Sequence, residues 1–227
     1  MYKRGHRYKG VFVTFEGGEG SGKGIQISLL KNCLSNQGYI ISIGRCSGGT
    51  PIGERIRNIL QNPKVEPLAP RTELLLYMAS RAQSTEEIVI PTLKEGGICI
   101  YDRFGESSRA YQGGGLGLNR AVIDFIQDFA TESIIPDLTF FIDLASKTGL
   151  ERMTTNEFGQ PDKIESRPLS YHKRVRRCYL QMAQAEPDRI KVIPYQSSNP
   201  HKMHQQIRQE VDNFIKHFKL REKLLRR

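Results

Sequence analysis

Apolar positions along the chain follow two rhythms, short unbroken runs and spacings of three to four residues, and the two alternate. Val11-Phe12-Val13-Thr14-Phe15 is a β-branched and aromatic run that stops at a glycine-rich segment, so it reads as a strand. Residues 24–36 read as a helix with Ile27, Leu30 and Leu34 on one face, closed by Gly38. Residues 39–43 read as a second strand. The next helix is capped by Thr50, carries Pro51 at its first position and ends before Pro63. Residues 71–93 predict a long helix, bent near Pro91, with Leu74, Leu75, Met78 and Ala82 for packing and Tyr77 and Arg81 one turn apart. Ile98-Cys99-Ile100-Tyr101-Asp102 is an apolar run ending in a carboxylate, and Gly113-Gly114-Gly115 reads as a flexible link. Asn119 caps a helix that directs Val122, Ile123, Ile126 and Phe129 inward. Residues 137–143 and 189–193 read as strands, and 147–155 and 168–184 as helices. A closing helix begins at Asn199-Pro200 and carries Ile207, Val211, Phe214 and Phe218. Five strands alternating with helices predict an α/β fold, a five-stranded parallel sheet flanked by helices.

The strand at residues 11–15 runs into Gly17-Gly18-Glu19-Gly20-Ser21-Gly22-Lys23-Gly24, and a helix follows. Strand, glycine-rich loop, lysine and helix are the parts of a phosphate-binding P-loop. Glycines let consecutive N–H groups converge on a phosphate. Lys23 adds a point charge at the β- and γ-phosphates, and the helix N-terminus adds its dipole. Residues 17–24 are therefore the expected ATP-binding loop, in a P-loop NTPase fold. One letter departs from G-x-x-x-x-G-K-[ST]: Gly24 stands where a hydroxyl would hold Mg²⁺. Asp102, at the carboxyl end of its strand, has the position of a Walker B carboxylate near Mg²⁺.

Length and charge narrow the class. The chain of 227 residues suffices for one sizeable α/β domain with a small lid, and no apolar run approaches the ~18 residues of a membrane span. The expected organisation is a basic N-terminal tail (1–9), a domain (10–218) with a lid at about 153–167, punctuated by Gly159 and Pro161, and a basic C-terminal tail (219–227). The N-terminus lacks the apolar core of a secretory signal. Four scattered cysteines without a C-x-x-C pair suggest neither metal binding nor a disulfide framework, and point to a reducing, cytoplasmic setting. The formal charge of +10 permits anionic partners. Solvated basic tails and a phosphate-rich site account for it without dedicated nucleic-acid binding. No N-K-x-D motif reads a guanine base, and the chain is short for an ATPase motor; a short chain with a lid favours a nucleoside monophosphate kinase.

Three long stretches carry a resemblance. Asp102-Arg103-Phe104 through Ala110-Tyr111-Gln112-Gly113 is the most specific. It is supported by Gly48-Gly49-Thr50-Pro51-Ile52-Gly53-Glu54-Arg55-Ile56-Arg57 and by Glu73-Leu74-Leu75-Leu76-Tyr77-Met78-Ala79-Ser80-Arg81-Ala82-Gln83. Over residues 10–218 the chain resembles bacterial thymidylate kinase. That family transfers the γ-phosphoryl group of ATP to dTMP with Mg²⁺ and is usually a homodimer. The resemblance implies that Arg103 and Arg57 hold the acceptor phosphate, where two guanidinium groups suit a dianion. It implies that Tyr77 stacks on thymine, Arg81 donates to a base carbonyl, and Ser108 and Gln112 meet the pyrimidine edge. Tyr111 would pack beside the sugar. Glu19 would bind the 3′-OH or a water on Mg²⁺, sharing the metal with Asp102. Lys23, Arg103, Lys163 and Arg167 would stabilise the transferring group.

Four departures from the family stand out. Gly24-Ile25 replaces one or two hydroxyl residues, Cys46-Ser47 replaces Glu-Pro, Lys163 replaces an arginine, and Pro194-Tyr195-Gln196 replaces Asp-Ala. Loss of one preorganised charge stabiliser costs on the order of 3 kcal/mol. The expectation is thus a kinase weakened at Gly24, Cys46 and Lys163, the alternative being a degenerate homologue that binds nucleotides without efficient transfer. A nucleic-acid binder and a thymidine kinase are the readings from other classes.

Overall fold

In the computed structural model, which describes residues 2–155, 162–197 and 199–220, five strands form one parallel sheet. They are β1 (Val11–Glu16), β2 (Ile41–Arg45), β3 (Ile98–Asp102), β4 (Leu138–Asp143) and β5 (Ile190–Pro194), in the order β2-β3-β1-β4-β5. β1 and β3 are buried almost throughout, as parallel strands covered on both faces must be. Their register sets Phe15 beside Asp102, and Arg45 of β2 lies on the other side of Asp102. The carboxyl ends of β1, β2 and β3 therefore meet where the strand order switches, the place at which open α/β sheets bind ligands.

Helices α1 (Lys23–Ser35) and α9 (Pro200–His217) cover one face through Ile27, Leu30, Leu34, Ile207, Val211 and Phe214. On the other face, α3 (Pro70–Ser84) runs through a widened, π-helical turn at Thr85–Val89 into α4 (Ile90–Lys94). The expected bend thus falls one turn before Pro91. Proline has no N–H to donate and its ring crowds the carbonyl four residues back, so the ladder opens there. Thr50 caps α2 (Pro51–Gln61) by accepting from Gly53 N–H at 3.0 Å, and Asn119 caps α6 (Arg120–Ala130). The remaining helices are α5 (Gly105–Ser108), α7 (Ser146–Thr155) and α8 (Leu169–Ala185). No helix among the described residues is long and apolar enough to cross a membrane.

Several expectations are corrected. β2 begins two residues later than residues 39–43 suggested, and Tyr39 is a core side chain ahead of the strand. Gly113-Gly114-Gly115 is no flexible link: it lies in a π-helical turn, Arg109–Gly115, packed under α8. A Cβ at Gly115 would come within 2.3 Å of the Tyr171 ring, and one at Gly114 within 2.8 Å of Cys178. Leu75, Val122 and Phe129 do not face the core. They are 54%, 51% and 86% exposed and join Phe125 in an apolar patch on α3 and α6. Solvated tails do not describe residues 2–9 either. Buried Asp137 accepts hydrogen bonds from the N–H groups of Gly5 and Phe12 and pairs with His6 Nε2, all at 2.9 Å, with Arg4 Nε at 3.4 Å. Of the expected lid, residues 156–161 lie outside the described residues, as do residues 221–227 of the C-terminal tail.

Candidate active site

The loop after β1 turns through Gly17, Gly20 and Gly22 at φ 148°, 66° and 81°, conformations that side chains resist. Gly20 also meets α7 closely, since a Cβ there would lie 2.6 Å from the Gly149 carbonyl. Ser21 Oγ donates to Gly18 O at 2.8 Å, closing the loop. Lys23 Nζ donates to the carbonyls of Gly17 and Gly18 at 3.2 and 3.1 Å. Burial, followed by the nearby Arg103 charge, holds the Lys23 ammonium below its ordinary pKa. Gly24 faces open space, with nothing within 4 Å of a Cβ.

Opposite the loop, β3 delivers Asp102 and Arg103. Arg103 adopts φ 67° and its N–H donates to Phe15 O at 2.9 Å, so the turn is tied back to β1. Glu16, wholly buried at the end of β1, reinforces that tie. It accepts from Phe104 N–H (2.7 Å), Ser107 Oγ (2.6 Å) and Tyr179 OH (2.7 Å). Burial and then the neighbouring Glu106 charge push the Glu16 pKa up. Arg103 Nη2 reaches both Glu19 oxygens at 3.0 and 2.9 Å, its guanidinium lies 4.9 Å from the Tyr111 ring, and Tyr111 OH donates to Glu19 at 2.7 Å. Burial alone would push the Glu19 carboxyl up. The charges of Arg103 and Lys23, with the Tyr111 hydrogen bond, overcome it and hold the pKa at about 2.

Ten of the residues singled out in the sequence line a single cavity of about 220 Å³: Glu19, Lys23, Arg57, Tyr77, Arg81, Asp102, Arg103, Ser108, Tyr111 and Gln112. Cys46 is buried on its wall, and the Cys46–Ser47 peptide is cis. Arg57 Nη1 donates to Ser47 O at 3.0 Å. At the far end Arg81 Nη2 donates to Phe104 O (2.8 Å) and Ser108 Oγ (3.0 Å), and Gln112 Nε2 donates to Glu73 (2.9 Å). An end beside the loop that holds Lys23, Arg57 and Arg103 thus faces a hydrogen-bonding end to which α3 contributes Tyr77 and Arg81.

Lys163 and Arg167, expected to stabilise the transferring group, do not line this cavity. Lys163 Nζ donates to the carbonyls of Ile59 and Glu66 at 3.3 and 3.1 Å, beside the end of α2. Arg167 forms an ion pair with Glu73 and donates to Tyr171 OH at 2.6 Å. In both cases a nearer acceptor captures the cation. Asp162 and Glu165, which flank Lys163, do line the cavity.

The donor set suits a hard cation. Asp102 Oδ1 is buried without a hydrogen-bond partner, and carboxylate oxygens are the ligands Mg²⁺ prefers. No group of three or more His, Cys, Asp or Glu side chains that could hold a metal occurs among the described residues. A Mg²⁺ ion here would take its other ligands from phosphate oxygens and water, its usual habit. Both Glu19 oxygens are engaged by Arg103, so Glu19 reaches a metal only through water or after giving up that pair.

Sequence reasoning passed over Glu16, Glu73 and Arg152. Arg152 of α7 donates to Gly20 O at 3.0 Å and lies 5.0 Å from the Tyr195 ring. The two border a small pocket on the outer side of the loop, with Ser21, Gly22 and Ile25. A single arginine in a polar helix carries no signal. Tyr195 was visible only as a departure from the family after β5.

Comparisons with known proteins agree on one assignment. The family model described as thymidylate kinase matches residues 15–207. A thymidylate kinase of Pelobacter propionicus is 44% identical over 185 residues, covering 80% of this chain and 84% of that protein. One from Deinococcus radiodurans is 41% identical over 185 residues, covering 82% and 88%. Among solved structures, a thymidylate kinase from Ehrlichia chaffeensis matches with a TM-score of 0.70 at 30% identity, over 89% of this chain and 98% of that one. With a family match across most of its length, and a P-loop facing a cavity between two arginines and a hydrogen-bonding wall, the chain belongs to the thymidylate kinase family of nucleoside monophosphate kinases.

Proposed function

We propose that this chain phosphorylates dTMP to dTDP with ATP. One observation carries the reading: a single cavity joins Lys23 of the phosphate loop to Arg57 and Arg103, and continues to Arg81, Ser108 and Gln112. The acceptor monophosphate sits between the two guanidinium groups, which bind it bidentately and screen its repulsion from ATP. Its base lies against Tyr77, with Arg81, Ser108 and Gln112 on its polar edge. Lys23 and the loop N–H groups hold the β- and γ-phosphates. An oxygen of the dTMP phosphate forms a bond to the γ-phosphorus while the bond to the β,γ-bridging oxygen breaks, and ADP leaves. The attacking oxygen is already ionised, so alignment and charge stabilisation suffice and no general base is required.

Arg103 has two tasks, since it is paired with Glu19 until an acceptor phosphate competes for it. Glu19, held ionised, then accepts from the sugar hydroxyl or from a metal-bound water. Asp102 would hold Mg²⁺, which supplies charge neutralisation at the phosphate oxygens. The adenine lies by Arg152 and Tyr195, where a guanidinium and a ring suit a flat base. No observation favours the degenerate alternative: Lys23, Asp102, Arg57 and Arg103 share one cavity despite the changes at Gly24, Cys46 and Lys163. The exposed apolar patch of Leu75, Val122, Phe125 and Phe129 supports a homodimer, and the pattern of free cysteines supports a cytoplasmic setting. A coupled assay of ADP release with ATP, Mg²⁺ and dTMP tests the proposal. Turnover with dTMP preferred over thymidine is expected; absence of turnover, or preference for thymidine, overturns it.

A further inference from the structure

Glu73 has no part in the transfer as described, yet it is only 4% exposed and sits on α3 one turn before Tyr77 and two before Arg81. Both of its oxygens are used. One accepts from Gln112 Nε2 at 2.9 Å and from Arg167 Nη1 at 3.3 Å, and the other accepts from Arg167 Nη2. Arg167 is held in turn by Tyr171 OH at 2.6 Å. A side chain from just before α8 thus anchors a carboxylate on α3, which anchors an amide in the turn after α5.

We infer that Glu73, held by Arg167, is a positioning residue that fixes which end of the Gln112 amide faces the nucleobase, and thereby selects thymine-type over cytosine-type bases. The inference rests on the dTMP reading above. An amide has a donor end and an acceptor end of nearly equal size, so packing alone does not choose between them. A carboxylate engaged by a guanidinium only accepts hydrogen bonds. Facing it, Gln112 must present its NH₂. The reversed amide would set oxygen against oxygen at the same separation in a site from which water is largely excluded. Gln112 Oε1, with no partner among the described residues, is left as an acceptor on the cavity wall.

Arg81 supplies the complementary group. It is 1% exposed, lines the same cavity, and its Nε has no hydrogen-bond partner. The lining therefore includes one residue with a free acceptor and one with a free donor. Thymine and uracil present an N3–H and a C4 carbonyl, which match that order. Cytosine presents a bare N3 and an amino group, so both pairings meet like with like. Unmatched polar groups in such a site are strongly rejected.

The test compares kcat/KM for dTMP, dUMP and dCMP in the full chain and in Glu73→Gln. A glutamine at 73 can donate or accept, so Gln112 is freed to turn over. The ratio of dTMP to dCMP is expected to fall by about ten- to a hundredfold, with the ratio of dTMP to dUMP unchanged, because uracil keeps the same polar edge. An equal fall for all three nucleotides would show a merely structural role and overturn the inference. If Glu73→Gln does not fold, Arg167→Gln, at a side chain 21% exposed, removes the anchor instead and is expected to lower the same ratio. An unchanged ratio in Arg167→Gln overturns the inference. If the parent chain turns over none of the three, the proposed function fails. Calorimetric dissociation constants for dTMP and dCMP then decide this inference separately, with equal affinities in the parent overturning it.

Discussion

Replacing Arg103 by methionine removes the guanidinium but keeps an unbranched side chain of similar reach. The partners are well shielded, with the side chains of Arg103 and Glu19 18% and 16% exposed. The Glu19 pKa drops from 4.5 to about 2, worth roughly 3 kcal/mol of folding stability at neutral pH. Burial opposes the drop, Arg103 is the strongest influence producing it, and Lys23 and Tyr111 follow. Arg103→Met is therefore expected to cost about 2 kcal/mol at pH 7 through this pair. Because the folded value lies below the unfolded one, wild-type Glu19 contributes fully above about pH 4.5, and the contribution is lost as pH falls towards 2. In the variant, burial raises the carboxyl, so protonation relieves it. The stability gap should be constant from pH 7 to 5 in its wild-type part and narrow clearly by pH 4. Urea denaturation at pH 7, 5 and 4 measures the gap, and a ¹³C titration of the Glu19 carboxyl follows its cause. A gap that stays the same at pH 7 and pH 4, or a Glu19 pKa that remains near 2 in the variant, would refute the ionic account.

Gly24→Thr places a side chain where a Cβ meets nothing within 4 Å, so it is expected to raise stability by about 0.5 kcal/mol through helix propensity. A lower melting temperature would show hidden crowding, and a rise in kcat would identify the missing hydroxyl as limiting. Phe129→Glu, at a side chain 86% exposed, is expected to leave folding unchanged and to convert a homodimer to monomers in sedimentation velocity. A dimer that persists places the interface elsewhere.

The alternation of strands and helices was legible because parallel strands buried on both faces appear as unbroken apolar runs, as in residues 11–15 and 98–101. The loop was legible because few residue types allow its backbone. Periodicity finds an apolar face without saying what covers it, which is why Val122 and Phe129 were taken as inward when only Ile123 among the neighbours is fully buried. Three consecutive glycines at 113–115 suggest flexibility in the sequence, whereas the close approach of Tyr171 and Cys178, some 60 residues on, requires Gly115 and Gly114 to lack side chains. Lys163 and Arg167 were placed by resemblance alone. Their partners, two carbonyls near α2 and Glu73 on α3, are distant in sequence and leave no local pattern. Glu16 carried no signal for the same reason, since its three donors come from residues 104, 107 and 179.

The docking of residues 2–9 on Asp137 gives the first β-strand a second means of alignment. Phe12 N–H and Gly5 N–H share the one carboxylate, and Asp137 N–H donates back to Phe12 O at 2.8 Å. Asp137 immediately precedes β4, so a single residue clamps the entrance of two adjacent central strands, β1 and β4, and the exit of β1 carries the phosphate loop. Trimming the chain to Gly10 would leave that carboxylate buried with fewer donors. The disturbance would begin at the edge of the sheet opposite the cavity. Thus eight residues far from any nucleotide belong to the foundation on which the loop is aimed.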